Sequence, residues 1–151
     1  MIRCAVIGLG KMGQIRAQCI IENDSTDLVK CYDLDLNTKI QNISILRKKT
    51  SNVNECLDPK HVDAVFVAAY VYVNLEYVKR ALENNIHVFC EKPPAVSKKK
   101  LEEIRSLYES RNTVLRFGFN HRLHSSVMHC QKMIKNNEIG SILHINGQYG
   151  K

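Results

Sequence analysis

The chain has 151 residues, 44% hydrophobic and 25% charged, with 22 Lys and Arg against 15 Asp and Glu and a formal charge of +7 at pH 7. That size and balance suit a globular domain with a real core and are too small for two full ones. No apolar run approaches the roughly 18 residues of a membrane span. The basic residues are scattered, clustering only at Arg47-Lys48-Lys49 and Lys98-Lys99-Lys100. No stacking aromatics interleave with them, so neither a membrane nor nucleic acid is the expected partner.

Six cysteines (Cys4, Cys19, Cys31, Cys56, Cys90, Cys130) show no C-x-x-C spacing and fall mostly on apolar faces, as reduced core thiols of a cytoplasmic protein would. The chain enters a strand almost at once, without a charged leader. The apolar run Ile2, Cys4, Ala5, Val6, Ile7 breaks into Gly8-Leu9-Gly10-Lys11-Met12-Gly13, the pattern of a buried strand, a glycine turn and a helix start. In that setting Gly8 permits the tight turn, Gly10 lets backbone approach a pyrophosphate, and Gly13 lets the helix pack on the strand. The helix N-terminus then turns free N–H groups toward the phosphates. Gly8, Gly10, Lys11, Met12 and Gly13 are therefore candidate cofactor-binding residues. Such spacing also occurs in ligand-free turns; what decides for a dinucleotide is Asp33, 20 positions after Gly13.

Met12, Ile15, Cys19 and Ile20 recur at helical spacing and predict a stripe packed on the sheet, ended by Asn23-Asp24-Ser25. A second strand, Leu28 to Tyr32, brings Asp33 to its carboxyl end. A carboxylate there accepts hydrogen bonds from both hydroxyls of an adenosine ribose and repels a 2'-phosphate, which favours NAD over NADP. Asp35 is expected to cap a helix through Leu36, Ile40 and Ile43. Residues 45–54 leave room only for a very short third strand. Ala64 to Ala68 is the continuous apolar run of a parallel strand covered on both faces. Val71, Leu75, Val78 and Leu82 mark a helix that Asn84-Asn85 ends, and Ile86 to Cys90 is a fifth strand. The alternation implies right-handed βαβ units.

Glu91-Lys92-Pro93-Pro94 follows that strand, and strand carboxyl ends line the ligand crevice of an open α/β sheet. Lys92 should thus lie near whatever sits beside the cofactor, on a turn whose prolines can include a cis bond. Ser97 caps a helix with a Leu101, Ile104, Leu107, Tyr108 stripe; Lys98–Glu102 and Lys99–Glu103 pairs offset the unfavourable lysines of its first turn. Val114 to Phe119 is a sixth strand. His121, His124 and His129 do not share one helical face, so no metal site is expected. A helix through Val127, Cys130 and Ile134 precedes a turn at Gly140. The last strand has Leu143, Ile145 and Tyr149 on one face and His144, Asn146 and Gln148 on the other, as in the first strand of a separate antiparallel or mixed sheet.

Gly8 to Gly13, Asp33, Glu91-Lys92-Pro93 and Gly118-Phe119-Asn120-His121-Arg122, closed by Gly147-Gln148-Tyr149-Gly150, together resemble the N-terminal half of the Gfo/Idh/MocA family, the glucose-fructose oxidoreductase and inositol dehydrogenase group. The resemblance implies an α/β fold, a Rossmann doubly wound parallel sheet over residues 1–120, with residues 121–151 beginning a truncated substrate-binding α/β domain. It implies an NAD(P)-dependent oxidoreductase acting on a sugar, cyclitol or related hydroxylated molecule. Lys92 then matches the lysine that hydrogen-bonds the reacting hydroxyl, Glu91, Ala68 and Ala69 match cofactor-binding positions, and Asn120 and Arg122 match a segment facing the substrate cleft.

Two departures stand out. Where the family has Thr-Pro or Thr-Ser, then Asn and a histidine, this chain has Ala69, Tyr70, Val71 and Asn74, which removes hydroxyl and imidazole contacts and should lower cofactor affinity. The family's Asp-x-x-x-His pair belongs to the second domain, of which only the first strand is expected. The chain therefore reads as a cofactor-binding fragment without turnover of its own, able to form a homo-oligomer through an exposed closing strand. A non-catalytic nucleotide-binding module or NAD-sensing subunit stays open as the alternative, and nucleic-acid binding rests on net charge alone.

Overall fold

The computed structural model describes residues 1–148. Six strands, β1 (Ile2–Ile7), β2 (Thr26–Tyr32), β3 (Lys49–Thr50), β4 (Ala64–Val67), β5 (His87–Cys90) and β6 (Leu115–Phe117), form one parallel sheet in the order β3-β2-β1-β4-β5-β6. The helices are α1 (Lys11–Ile21), α2 (Ile43–Leu46), α3 (Val71–Glu83), α4 (Lys98–Glu109) and α5 (Ser125–Lys135). The strand order reverses beside β1, so a crevice opens at the carboxyl ends of β1 and β4. The chain parts into two compact units, Met1–Gly118 and a second beginning at Phe119.

Alternation along β1 divides the core. Cys4 and Val6 join one cluster with Leu9, Ala17, Ile20, Leu28, Cys31 and Ile45; Ala5 and Ile7 join another with Val65, Val67, Val78, Leu82 and Ile104. From Cys4 onward both faces of the strand are thereby dry, which is why Cys4 to Ile7 reads as a continuous apolar run. Full burial of a side chain such as Leu82 stabilises by about 1.5–3 kcal/mol.

Four expectations are corrected. α1 packs through Gly13, Ala17 and Ile20, while Met12, Ile15 and Cys19 are exposed. The reason is distance at the start of the helix: a Cβ on Gly13 would fall 1.7 Å from the Gly8 carbonyl oxygen, so no larger side chain fits beneath it there. Asp35 caps no helix. Its carboxylate accepts from the Asn37 amide at 2.9 Å and its carbonyl from Thr38 at 3.1 Å, forming a turn, and the one-turn α2 is capped instead by Asn42. Asp, Asn and Thr side chains compete for the backbone here and outweigh the apolar spacing of Leu36, Ile40 and Ile43. Lys98 pairs with Glu102 at 3.4 Å, but no Lys99–Glu103 pair forms among the described residues. Finally, residues 141–148 join no strand, and Leu143 and Ile145 are exposed; alternation supplies a pattern, but a strand also needs a neighbour to bond with. Tyr149 lies outside the described residues.

Cys4, Cys31, Cys56 and Cys90 are buried, and burial pushes their thiols up to about 11 for Cys4 and about 12 for the others. Cys19 and Cys130 are exposed.

At the opposite edge from the crevice, Arg3 clamps β1 to β4: its Nε and Nη2 donate to the two carboxylate oxygens of Asp63 at 3.0 and 2.6 Å, and its backbone N–H adds a bond of 2.8 Å. These donors hold the Asp63 carboxyl down from 3.8 to about 2. A depressed carboxyl stabilises fully above its unfolded pKa and loses that contribution as pH falls through the folded one. Both side chains are more than a third exposed, so the solvent-screened effect is at most about 1 kcal/mol. Asp63→Asn should therefore lose up to that much at pH 7, with the difference from wild type shrinking between about pH 4 and 2 in urea unfolding curves. A pH-independent difference would show the pair to be inert.

Candidate functional site

The register aligns the ends of five strands. Tyr32 pairs with Ile7, Ile7 with Val67, Val67 with Cys90 and Cys90 with Phe117. The residues that follow, Asp33, Gly8, Ala68, Glu91 and Gly118, thus form a row along one edge. With neighbouring strands about 4.8 Å apart, Asp33 and Glu91 are separated by roughly 14 Å across the sheet, a span suited to an extended dinucleotide.

Gly8, Gly10, Asp33, Ala68 and Ala69 come together around one pocket of about 440 Å3, within the usual range for small-molecule sites. Gly8 adopts φ +91°, and a Cβ there would fall 2.5 Å from the Ala68 carbonyl oxygen, so conformation and space both require glycine. A Cβ on Gly10 would meet nothing within 4 Å, leaving its backbone open to a ligand. Gly13 lies beneath the loop rather than in the pocket: its Cβ would fall 1.7 Å from the Gly8 carbonyl oxygen. Lys11 and Met12 are exposed on the first turn of α1, whose amides have no intrahelical acceptor. Gln14 braces the loop by donating to the Leu9 and Lys39 carbonyls at 2.8 and 3.0 Å.

One carboxylate oxygen of Asp33 accepts from the Leu9 amide and the other from the Asp35 amide at 2.9 Å. A carboxylate has about four acceptor positions, so two remain for a ribose diol. Asp33 is thus a positioned acceptor beside an open loop.

Several lining residues were not assigned to a cofactor pocket from the sequence. Tyr70, Val73 and Tyr77 form one wall, spaced three and four apart at the start of α3, a helical face that the stronger Leu75-Val78-Leu82 stripe masks. Burial raises the Tyr77 phenol above its usual 10. Leu34, Asp35 and Thr38 also line the pocket. Asn74 is buried, donates to the Pro93 carbonyl at 3.5 Å, and its Oδ1 has no partner among the described residues.

Glu91 and Lys92 do not line this pocket. Glu91 is buried and ion-paired with Arg16 of α1, whereas Lys92 is exposed, beginning a turn whose Lys92-Pro93 bond is cis. Asn120 and Arg122 lie in an exposed 3-10 turn, Asn120–Leu123, of the second unit. Among the described residues no three His, Cys, Asp or Glu are grouped to hold a metal ion, and no helix is long and apolar enough to cross a membrane.

The model of the oxidoreductase family with an NAD-binding Rossmann fold, GFO_IDH_MocA, matches residues 2–119. The chain belongs to the Gfo/Idh/MocA family. It is 28% identical over its whole length to glucose-6-phosphate 3-dehydrogenase of Bacillus subtilis, of which it covers 43%. It is 29% identical over 95% of its length to 2,7-anhydro-N-acetylneuraminate hydratase of Escherichia coli, of which it covers 38%. Myo-inositol 2-dehydrogenase from Lactobacillus plantarum superimposes with a TM-score of 0.80 at 27% identity, over 93% of this chain and 43% of that one. The chain thus spans about two fifths of the length of these Gfo/Idh/MocA relatives, and the part it spans contains the NAD-binding Rossmann fold.

Proposed function

We propose that this chain is the NAD-binding part of a dehydrogenase acting on a sugar, cyclitol or related hydroxylated ring, with residues 121–151 beginning the substrate-binding domain. The observation that carries the reading is the row of Asp33, Gly8, Ala68 and Glu91 at aligned strand ends, with an acceptor for ribose at one end and an exposed lysine at the other. Sugar and cyclitol enzymes among the relatives support the substrate class. Asp33 takes the adenosine ribose, the first-turn amides of Lys11, Met12 and Gly13 take the pyrophosphate, and Ala68 and Ala69 floor the pocket. NAD supplies the hydride acceptor when bound. Lys92 makes no hydrogen bond or ion pair among the described residues, so its ammonium is available to hydrogen-bond a reacting hydroxyl and to stabilise negative charge on that oxygen. Asn120 and Arg122 of the second unit are exposed polar groups available to a substrate. Buried free thiols support a reducing compartment, the cytoplasm.

Alcohol oxidation also needs a base for the hydroxyl proton and a pocket that orients the carbon, and such orientation is worth roughly 7–11 kcal/mol of barrier. Neither is evident in the described residues. Calorimetric titration of the purified chain should show NAD binding in preference to NADP, while incubation with NAD and glucose 6-phosphate or myo-inositol yields no NADH. Absence of nucleotide binding would overturn the reading; steady NADH production would show that the chain holds a complete active site.

A further inference from the structure

Arg16 is the one strongly charged side chain of α1 that turns inward toward the sheet edge. Its Nε donates to Glu91 Oε1 at 2.7 Å, its Nη2 lies 2.5 Å from the same oxygen, and its guanidinium stands 4.9 Å over the Phe89 ring. Glu91 is only 7% exposed. The far side of its carboxylate is shaped as closely: a Cβ on Gly118 would fall 2.7 Å from Glu91 Oε2 and 3.3 Å from the Phe89 ring. Arginine, ring and glycine therefore confine Glu91 to one position. The backbone is held too, with the Glu91 amide donating to the Val67 carbonyl at 2.8 Å and Asn74 reaching the Pro93 carbonyl.

Lys92 lies between these two anchors. Arg16 follows Gly13 by three residues, about one helical turn, so the rod that offers its first-turn amides to the pyrophosphate also grips the turn at the end of β5. Burying an ion pair brings little net stability against an apolar replacement, and its better-attested use is to fix one geometry.

Building on the NAD-binding reading above, we infer that Arg16 is a positioning residue that, through Glu91, sets the Glu91-Lys92-Pro93 turn for the nicotinamide half of the cofactor. The adenosine half is held at Asp33 and does not depend on it. Arg16 and the cofactor halves thus divide the binding energy in a way that can be read by shortening the ligand.

The test is calorimetric titration of the full chain with NAD and with ADP-ribose, which lacks only the nicotinamide. Wild type should bind NAD the more tightly. Arg16→Met should weaken NAD about tenfold, the worth of one well-placed hydrogen bond, and leave ADP-ribose unchanged. Arg16→Lys, which keeps the charge but not the two-pronged grip, should recover part of the loss. Gly118→Ala, acting from the other side of Glu91, should reproduce the Arg16→Met pattern, and it carries the test should Arg16→Met fail to fold. Equal affinity of wild type for the two ligands, or equal losses of both in the variants, would overturn the inference while leaving nucleotide binding intact. Failure of wild type to bind ADP-ribose would instead overturn the reading on which it rests.

Discussion

Gly13→Ala is expected to cost about 2–3 kcal/mol of stability, after allowing for the better helix propensity of alanine, and to take nucleotide binding with it. The added methyl group would sit 1.7 Å from the Gly8 carbonyl oxygen, so α1 and the loop after β1 must separate by more than an ångström. Gly8 cannot yield in the other direction, because it already rests on the Ala68 carbonyl. Separation also moves the first-turn amides away from the pyrophosphate position. Urea unfolding and NAD titration on the same variant check both effects. Wild-type stability together with wild-type affinity would mean that the close approach of helix and loop is not needed.

Asp33→Ala should weaken NAD binding about 10 to 100-fold, since charged hydrogen bonds contribute roughly 1.5–3 kcal/mol. Part of that loss is internal to the protein, because Asp33 also holds the Leu9 and Asp35 amides that shape the loops on either side. Asp33→Asn should therefore fall between wild type and alanine: its single carbonyl oxygen can keep one amide but cannot also serve a ribose diol. NADP should gain little in either variant, for Asp35 lines the same pocket and keeps it acidic. Titrations in which Asp33→Ala binds NAD as wild type does would remove Asp33 from the site.

The sheet was legible because a parallel strand covered on both faces is apolar wherever it is buried, as β1 is from Cys4 onward and β4 is throughout. The row at the strand ends followed from it, since Gly8 and Glu91 each come directly after an apolar stretch and Asp33 directly after the second strand. Packing by small residues was less legible: Gly13 and Ala17 leave no hydrophobic signature, and the Met12-Ile15-Cys19 spacing on the exposed side of α1 is the louder pattern. Arg16 gave no signal at all. A charged residue on a helix is ordinarily solvated, and its partner here lies 75 positions away, a contact only the closed sheet creates. Asp35 shows a third limit, where side chains that bond their own backbone defeat a periodicity that looked helical.

The distribution of thiols makes the chain its own reporter of opening. Cys19 stands on the surface of the first unit and Cys130 on that of the second, whereas the other four thiols are buried in the first unit. With those four held at about 11 to 12 and screened from solvent, an alkylating reagent at neutral pH meets them only when the sheet comes apart. Counting labels per molecule by mass therefore separates molecules that carry two from those that carry more, and the second class is the population that has opened. Any ligand that tightens the crevice would be visible as a slower passage from the first class to the second, without a chromophore or an assay of turnover.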